Sequence, residues 1–294
     1  MGIGRCQRLW PFVNMYRNNC FHQESEKLNG VNYRIRGHMT TIISWNVNGL
    51  RQRFEKNEFL PLFRHNPDIV CIQETKTPKE KIPPELKALH GYKRLCPNVV
   101  NGNFSETLLL TRNNPVSVRY GFGAPLSGTD GRIIIADFST FVIMNIYFPL
   151  GVGPADNLEN KLAFYDAFLS YTRKLCETGR AVIVCGDFSI AHTDNDVESV
   201  KKHAANQVGT TPEERGKIDS LIRMGFSDTF RIFRPEKGHY TWWPNGFRIN
   251  ERHLGRRLDY FFVNEQVLPC VISSEILSDV EGSDHCPVML ELNL

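Results

Sequence analysis

The chain has 294 residues, of which 41% are hydrophobic and 23% are charged, and its formal net charge is +3. This composition is typical of a soluble globular protein, and no apolar run approaches the roughly 18 to 20 residues that span a bilayer, so we expect no membrane association. Residues 1–38 carry six basic and two acidic side chains, which leaves the remainder at −1. Binding to a polyanion would therefore require a local basic patch.

The first 38 residues are basic, show no clear periodicity and lack the apolar block of a secretory signal. We expect them to form a flexible extension, and both an organellar leader and a mis-assigned start before Met39 stay open. The eight cysteines are scattered without a CxxC pair. This pattern favours free thiols in a reducing intracellular compartment, in the cytoplasm, the nucleoid or a nucleus, over a disulfide scaffold or a zinc site.

From Met39 onward, short apolar runs bounded by turn residues recur, as in strands that are buried on both faces. Two helical patterns lie between such runs. The stretch KLAFYDAFLSYTRKLCETG is amphipathic and ends at Gly179. The stretch TPEERGKIDSLIRMG begins with Thr211 as N-cap and Pro212 at the first helical position, and Glu214 completes a capping box. Strands interleaved with helices predict one layered α/β domain over residues 39–294.

Polar residues lie at or near the ends of six of the apolar runs. They are Asn46, Asn48, Glu74, Tyr147, Asp187, Asp259, Asp284 and His285. Because strands of one sheet system can bring their ends together, we expect these residues to converge on one rim. Carboxylate and amide oxygens without cysteine ligands suit a hard cation such as Mg²⁺ or Mn²⁺. A cation of this kind normally acts beside phosphate.

Each of these residues also has a simpler interpretation. Asp187 caps the following segment, Glu74 is a surface acid, and Asp259 pairs with Arg256 or Arg257. His285 alone is more often structural, but in SDHCPV it follows another ionisable residue directly before a final apolar strand. Asp259 would then hold His285 in one tautomer, as in other carboxylate–imidazole pairs. The joint pattern favours a functional site.

Six motifs occur in a known order: SWNVNGLR, IQETK, NIYFP, CGDF, RRLDYFFV and GSDHCPV. From about Ile42 to Leu292 the chain resembles the exonuclease III-like apurinic/apyrimidinic (AP) endonucleases of the endonuclease/exonuclease/phosphatase superfamily. The resemblance implies a four-layer α/β sandwich, in which helices flank two packed mixed β-sheets and the site lies at one rim. Residues 39–294 would form the catalytic domain.

The resemblance also implies the reaction and the role of each site residue. The reaction would be Mg²⁺-dependent hydrolysis of the phosphodiester 5′ to an abasic site in duplex DNA, with Mn²⁺ as an alternative ion and trimming of 3′ ends as an accompanying activity. The implied metal set consists of Asn46, Asn48, Glu74, Asp187 and Asp284, with Glu74 as principal ligand. Asp187 would also deprotonate the attacking water. His285, held by Asp259, would bind the scissile phosphate, with Tyr147 near it or the leaving oxygen.

DNA contacts follow from the same resemblance. Phosphates would be bound by Arg51, Lys76 and Arg257, and Trp242 and Leu258 would form two walls of a pocket for the abasic sugar. Core packing is the simpler interpretation of Trp242. A few placed cations position a duplex without making a protein basic, which agrees with the net charge. We expect the protein to act on DNA as a monomer.

Several positions depart from the family pattern close to the substrate. Ser189 stands where the family has Asn, Leu150 stands where Asn or Gln is usual, and Glu106 adds negative charge. Arg256 replaces the pocket tryptophan, so it would admit a different substrate or contact DNA directly. These departures leave two alternatives to an active repair nuclease. One is a catalytically weakened paralogue that binds DNA or a protein partner, and the other is a phosphodiesterase for a small molecule or lipid headgroup.

Overall fold

A computed structural model describes residues 27–28, 31–32, 39–78, 81–87, 89–98, 105–123, 131–153, 157–199, 207–244 and 254–294. Of the predicted flexible extension, only Lys27–Leu28 and Val31–Asn32 are described, and they pair as two short antiparallel strands. The rest of residues 1–38 lies outside the described part of the chain.

Strands are interleaved with helices along the chain, as the sequence predicts. The strands are β1 Lys27–Leu28, β2 Val31–Asn32, β3 Met39–Asn46, β4 Ile69–Thr77, β5 Lys93–Leu95, β6 Ser105–Thr111, β7 Ser117–Arg119, β8 Ile133–Asp137, β9 Val142–Tyr147, β10 Val182–Asp187, β11 Ser227–Asp228, β12 Asp259–Val263, β13 Val271–Ile276 and β14 Val288–Asn293. The α-helices are α1 Leu50–Glu55, α2 Pro84–Lys87, α3 Leu158–Glu177, α4 Pro212–Arg223 and α5 Thr229–Phe233. Short 3₁₀ helices are formed by Leu60–His65, Asp194–Asp196 and Leu268–Cys270.

Both long helices end where the sequence indicates, and α4 also begins there, whereas α3 begins at Leu158, three residues before the predicted stretch. The side chain of Asn157 accepts a hydrogen bond from the amide of Asn160 at the start of α3, and Gly179 follows its end with a φ of 73°. At α4, Thr211 is the N-cap, Pro212 is the first helical residue and Glu214 closes the capping box. This capping box satisfies amides at the helix start that have no partner within the helix.

Two six-stranded mixed sheets form the centre of the domain. The first has the order β13-β14-β3-β4-β6-β5, and the second has the order β11-β12-β10-β9-β8-β7. Each sheet contains one parallel pair, β3 with β4 and β9 with β10, among antiparallel neighbours. The carboxyl ends of the four parallel strands are therefore available at one rim.

Three apolar clusters define the layers. One contains Ile42, Cys71, Ile143 and Cys185 and lies between the two sheets. The other two cover the outer faces, where α1 packs on the first sheet and α3 and α4 pack on the second. Successive residues of β3 alternate between the inner and outer clusters, as side chains of a strand must. The predicted four-layer α/β sandwich is confirmed.

Among the described residues, no helix combines the length and apolar character needed to cross a membrane. The six described cysteines are free thiols, three of them buried. They are Cys71, Cys96, Cys176, Cys185, Cys270 and Cys286.

Candidate active site

The polar strand ends converge at one rim of the paired sheets. Asp187 ends β10, where it is in register with Tyr147 at the end of β9 and with Asp259 at the start of β12. Gly186 permits this approach, because a Cβ at its φ of 136° would lie 1.9 Å from the carbonyl oxygen of Ile146. The glycine of CGDF therefore lets β9 and β10 present their last side chains together.

The first sheet contributes through a bulge in β4. Its pairing with β6 shifts register between Gln73 and Thr77, and Glu74 and Lys76 adopt left-handed φ values of 50° and 47°. Asn48 also has a positive φ, of 44°. Non-glycine residues in this region carry backbone strain, which tends to occur at functional sites. In this conformation Glu74 and Asn48 both contact the ammonium group of Lys76.

Hydrogen bonds join the two sheets across the rim. The side-chain amide of Asn46 donates to Oε1 of Glu74 and to Oδ2 of Asp187, in both cases at 3.0 Å. The hydroxyl of Tyr147 donates to Oε1 of Glu74 at 2.7 Å. These bonds fix the carboxylates of Glu74 and Asp187 on either side of one buried amide.

Glu74, Asn48 and Asp284 form an oxygen-rich group beside that amide. Asn48 donates to Oδ1 of Asp284 at 2.8 Å, and the indole of Trp242 donates to Oδ2 at 3.1 Å. The ammonium of Lys76 lies 2.7 Å from Oε2 of Glu74 and donates to Oδ1 of Asn48 at 2.6 Å. Although burial raises the pKa of both acids, hydrogen bonds and neighbouring cations outweigh it and lower the pKa of Glu74 and of Asp284.

Asp187, Asp259 and His285 form a second, more deeply buried group. Nδ1 of His285 lies 2.8 Å from Oδ2 of Asp259, while its Nε2 lies 3.9 Å from Oδ2 of Asp187. Burial raises the pKa of Asp187 to about 7, with Asp259 and Glu74 adding to the increase and His285 opposing it. Burial lowers the pKa of His285, but the carboxylates of Asp259 and Asp187 outweigh burial and raise it to about 10. The predicted Asp259–His285 pair is present, with a charged imidazole.

Two sets of side chains are candidates for a divalent metal ion. The ligand atoms of Asp187, Asp259 and His285 lie within 4.8 Å of one another. However, Nδ1 of His285 is already paired with Asp259, and the neighbouring carboxylates raise the pKa of His285, which opposes the loss of the proton that metal binding requires. Glu74, Asn48 and Asp284 offer ionised and amide oxygens, which are the ligands that Mg²⁺ and Mn²⁺ prefer. This second set fits a hard divalent cation and agrees with the predicted ligands.

Ser189 lies directly behind Asp187. Its amide donates to Oδ1 of Asp187 at 2.7 Å, and its hydroxyl donates to the same oxygen at 3.2 Å. Its φ is 51°, a left-handed value that asparagine adopts more readily than serine. The serine therefore supports the carboxylate of Asp187 directly.

The predicted pocket residues also lie next to the site. Leu258 is buried with Ala191 and Val197, and Trp242 packs on this cluster half-buried. The ring of Trp242 lies 6.4 Å from that of His285. An apolar wall therefore adjoins the charged site.

Arg256, which stands where the family has a tryptophan, lies over the ring of Trp242. Its guanidinium is 5.8 Å from the ring centre of Trp242 and donates to the carbonyl of Val208 at 3.1 Å and to Oε1 of Gln207 at 2.6 Å. Arg256 thus connects Trp242 with the segment before α4. Arg51, in contrast, is exposed on α1 and pairs only loosely with Glu55 through a surface ion pair.

The DNA contact predicted for Arg257 disagrees with the position of this side chain in the structure. Its side chain is 1% exposed, and its guanidinium bonds Oδ1 of Asp196 at 2.7 Å and Oδ2 of Asp228 at 2.6 Å. A buried guanidinium held by two carboxylates has no face for a phosphate. The alternative pairing of Asp259 with Arg256 or Arg257 is also wrong, because the partner of Asp259 is His285.

Sequence reasoning missed Arg132 and Lys161 near the site, although it had noted Glu106. Arg132 lies 4.6 Å over the ring of Tyr147, and Glu106 lies close enough to Arg132 and Glu74 for their charges to act on it. Burial raises the pKa of Glu106. The departure from the family pattern at this position therefore places a carboxyl group near Arg132 and Glu74. Lys161 is fully buried behind Ser189. Its only sequence signal was a charged residue within the apolar face of a predicted helix.

Comparisons with known proteins agree with this geometry. A family model described as Endonuclease/Exonuclease/phosphatase family matches residues 43–285. The chain is 36% identical over 256 residues to "Recombination repair protein 1" of Drosophila melanogaster, covering 86% of this chain but only 37% of that protein. It is 33% identical over 255 residues to "Exodeoxyribonuclease" of Bacillus subtilis, covering 86% of this chain and 99% of the relative. The solved "3'-5' exonuclease" of Neisseria meningitidis superposes with a TM-score of 0.76 at 25% identity, covering 87% of this chain and 100% of that one.

Proposed function

This chain belongs to the endonuclease/exonuclease/phosphatase family, and we propose that it is a Mg²⁺-dependent DNA repair nuclease that cleaves 5′ to abasic sites. The observation that carries the proposal is the convergence of Glu74, Asp187 and the Asp259–His285 pair at one rim. Trimming of 3′ ends would use the same chemistry, in keeping with the exonuclease names of two similar proteins.

The chain's own residues divide the hydrolysis among them. Asp187 is placed to take a proton from the attacking water, since a pKa near 7 suits a general base at neutral pH. The charged imidazole of His285, fixed by Asp259, would hold the scissile phosphate. Bound at Glu74, Asn48 and Asp284, Mg²⁺ would supply positive charge that polarises the phosphate and offsets charge on the leaving oxygen.

The choice of an abasic nucleotide is supported by the wall beside His285. A nucleotide without a base rotates out of the duplex at low cost, and an apolar surface accommodates its sugar. Trp242 and Leu258 provide such a surface next to the charged site. Arg256, half-buried over Trp242, would limit the depth of this pocket, which favours a sugar over a full nucleotide.

The proposal is tested with the purified chain and a duplex that carries a stable abasic analogue. We expect incision on the 5′ side in Mg²⁺, complete loss with EDTA and recovery when Mg²⁺ is restored. The same duplex with an ordinary nucleotide serves as control and stays uncut at that position. An abasic duplex left intact in both Mg²⁺ and Mn²⁺ would overturn the proposal.

A catalytically weakened paralogue is the second candidate, because Ser189 and Leu150 stand where the family usually has amide side chains. Leu150 is half exposed near the site and cannot donate to a phosphate. Under this alternative, Ser189→Asn raises a slow incision rate by about 10²-fold, the effect of one donor in such a site. Under our proposal the same substitution changes the rate by less than about threefold, because Ser189 already supports Asp187.

Two further expectations remain proposals. The free thiols among the described cysteines support a reducing intracellular compartment. A monomeric state is tested by the mass of the purified chain in solution, with and without duplex DNA.

A further inference from the structure

Behind the rim, a lysine and a glutamate form an ion pair that is closed off from solvent. Nζ of Lys161, on α3, lies 2.6 Å from Oε1 of Glu214, on α4, and both side chains are 0% exposed. The pair lies where these two helices meet beneath the strand ends. It is separate from the metal-binding and phosphate-binding groups described above.

Lys161 holds the segments that leave the two parallel strands of the second sheet. Its ammonium donates to the carbonyl of Ser189, after β10, at 2.8 Å and to the carbonyl of Leu150, after β9, at 3.3 Å. The fit around its stem is close, because a Cβ added to Gly151 would lie 2.9 Å from Cδ of Lys161. One side chain therefore sets the spacing of two segments at the site.

Glu214 holds a third segment, the one before α4. Its carboxylate accepts the amide of Gly209 at 2.9 and 2.7 Å and the amide of Thr211 at 3.1 Å. The preceding residues, Gln207 and Val208, bind the guanidinium that lies over Trp242. Glu214 therefore acts on the pocket side of the site, while Lys161 acts on the side of Asp187.

The link from Lys161 to Asp187 is short. Ser189 receives the lysine on its carbonyl and donates its amide to Oδ1 of Asp187 at 2.7 Å. A displacement of the Ser189 peptide would thus move a hydrogen bond to the water-activating carboxylate. Since Ser189 is held at a φ of 51°, the segment depends on such contacts to keep its conformation.

Stability alone does not account for a buried pair of this kind. The cost of removing two charges from water often exceeds their attraction, and apolar replacements of similar volume are frequently neutral or stabilising. Apolar side chains at 161 and 214 would fill the space between α3 and α4. They could not donate to the carbonyls of Ser189 and Leu150.

We propose that Lys161 is a positioning residue that acts through Ser189 on Asp187, and that Glu214 keeps its ammonium in place. The kinetic part of this inference rests on the proposed nuclease activity. The buried charges between α3 and α4 would then fix the geometry of the reacting groups, and would not serve to hold the two helices together.

The test compares the wild type with the double variant Lys161→Met, Glu214→Gln. The variant removes both charges at similar volume, and the glutamine still offers an oxygen to the amides of Gly209 and Thr211. We expect kcat on the abasic duplex to fall by about 10- to 100-fold, because small displacements of reacting groups cost that much. KM should change by less than about threefold, since the 207–211 segment keeps its acceptor.

Hydrogen exchange gives a readout that does not require catalysis. Peptides containing residues 186–191 should exchange faster in the double variant, while peptides from the centre of β3 should be unchanged. An inactive wild type would therefore count against the proposed function without deciding the role of Lys161.

Lys217→Met, Asp166→Asn is the matched control. Lys217 and Asp166 join the same two helices at 2.5 Å, but on the surface, and we expect wild-type kcat and exchange. Unchanged kcat and unchanged exchange at 186–191 in the Lys161 variant would overturn the inference. Should that variant fail to fold, Glu214→Asp decides, because it keeps both charges and draws the ammonium away from Ser189. A wild-type kcat for Glu214→Asp would also overturn the inference.

Discussion

The Asp187–Asp259–His285 cluster and the Arg257–Asp196–Asp228 cluster are both buried, and both connect to the segment 257–259. In the arginine cluster, each carboxylate bonds a guanidinium, and Arg231 adds a second cation at 2.5 Å from Asp196. Burial alone raises the pKa of Asp196, but Arg257 and Arg231 outweigh burial and lower it. Its charges are thus balanced in number and satisfied in geometry.

The Asp187–Asp259–His285 cluster at the rim is balanced neither in the number of its charges nor in its hydrogen bonds. Within the described residues, Oδ1 of Asp259 has no hydrogen-bond partner, and the pKa of Asp187 is raised by burial and by other carboxylates. Together with Glu74 and Asp284, the site holds four carboxyl groups, and Lys76 lies 2.7 Å from Glu74 while His285 lies 2.8 Å from Asp259. Carboxyl groups gathered in this number suit a divalent ion, which would in turn attract a phosphate. Charges in the arginine cluster are paired as in a structural network, whereas the unevenly paired charges at the rim are typical of a functional site.

The largest expected effect comes from Asp187→Asn. Incision should slow by about 10²- to 10⁴-fold, because the amide cannot accept the proton of water. The free energy of unfolding should stay unchanged or increase, since a costly buried charge is removed. Rates on the abasic duplex and urea unfolding of the same samples measure both. A variant with near wild-type incision, or one that is strongly destabilised, would erase the distinction between the clusters.

Arg257→Met should give the opposite combination. Removing the guanidinium leaves two buried carboxylates without their main partner, so the free energy of unfolding should fall by about 3–5 kcal/mol. The salt dependence of duplex binding should not change, because Arg257 reaches no phosphate. Arg51→Ala is the matched exposed control, and its salt slope should drop by about 1. A similar drop for Arg257→Met at native stability would restore the DNA contact predicted from the sequence.

This pair of arginine predictions also marks how far the sequence reaches. The layered α/β class followed from apolar runs and helix caps such as Thr211 and Glu214, because periodicity and capping are local properties of the chain. The four-layer arrangement with two packed sheets followed only from the family resemblance. Convergence of the polar strand ends was predicted too, since strands of one sheet system can bring their ends to one rim. Arg257 was not, because its partners Asp196 and Asp228 are 61 and 29 residues away and carry no pattern that links them.

Lys161 and Arg256 show the same limit. A charged residue within an apolar helix face signals burial but does not identify the Ser189 carbonyl as its acceptor. Arg256 was noted as a charge where the family has a tryptophan, but its position over Trp242 and its bonds to Gln207 and Val208 were not predicted. The direction of a side chain at a strand end depends on contacts with segments that are distant in the sequence. Local sequence patterns do not predict those contacts.

The smallest expected effect is the pH dependence that Asp187 imposes on the incision rate and on stability. Since its carboxyl has a pKa of about 7 and must be ionised to act as a base, incision should fall about tenfold per pH unit below 7. Stability should move in the other direction. The folded-state pKa of Asp187 lies above its ordinary value of 3.8, so its contribution to stability is fully present below that value and is lost as the pH rises towards 7. Urea unfolding in EDTA at pH 5 to 8 should therefore show the stability of Asp187→Asn gaining on that of the wild type. If the incision rate fell at low pH but the stabilities of Asp187→Asn and the wild type did not diverge, the group that titrates would not be Asp187.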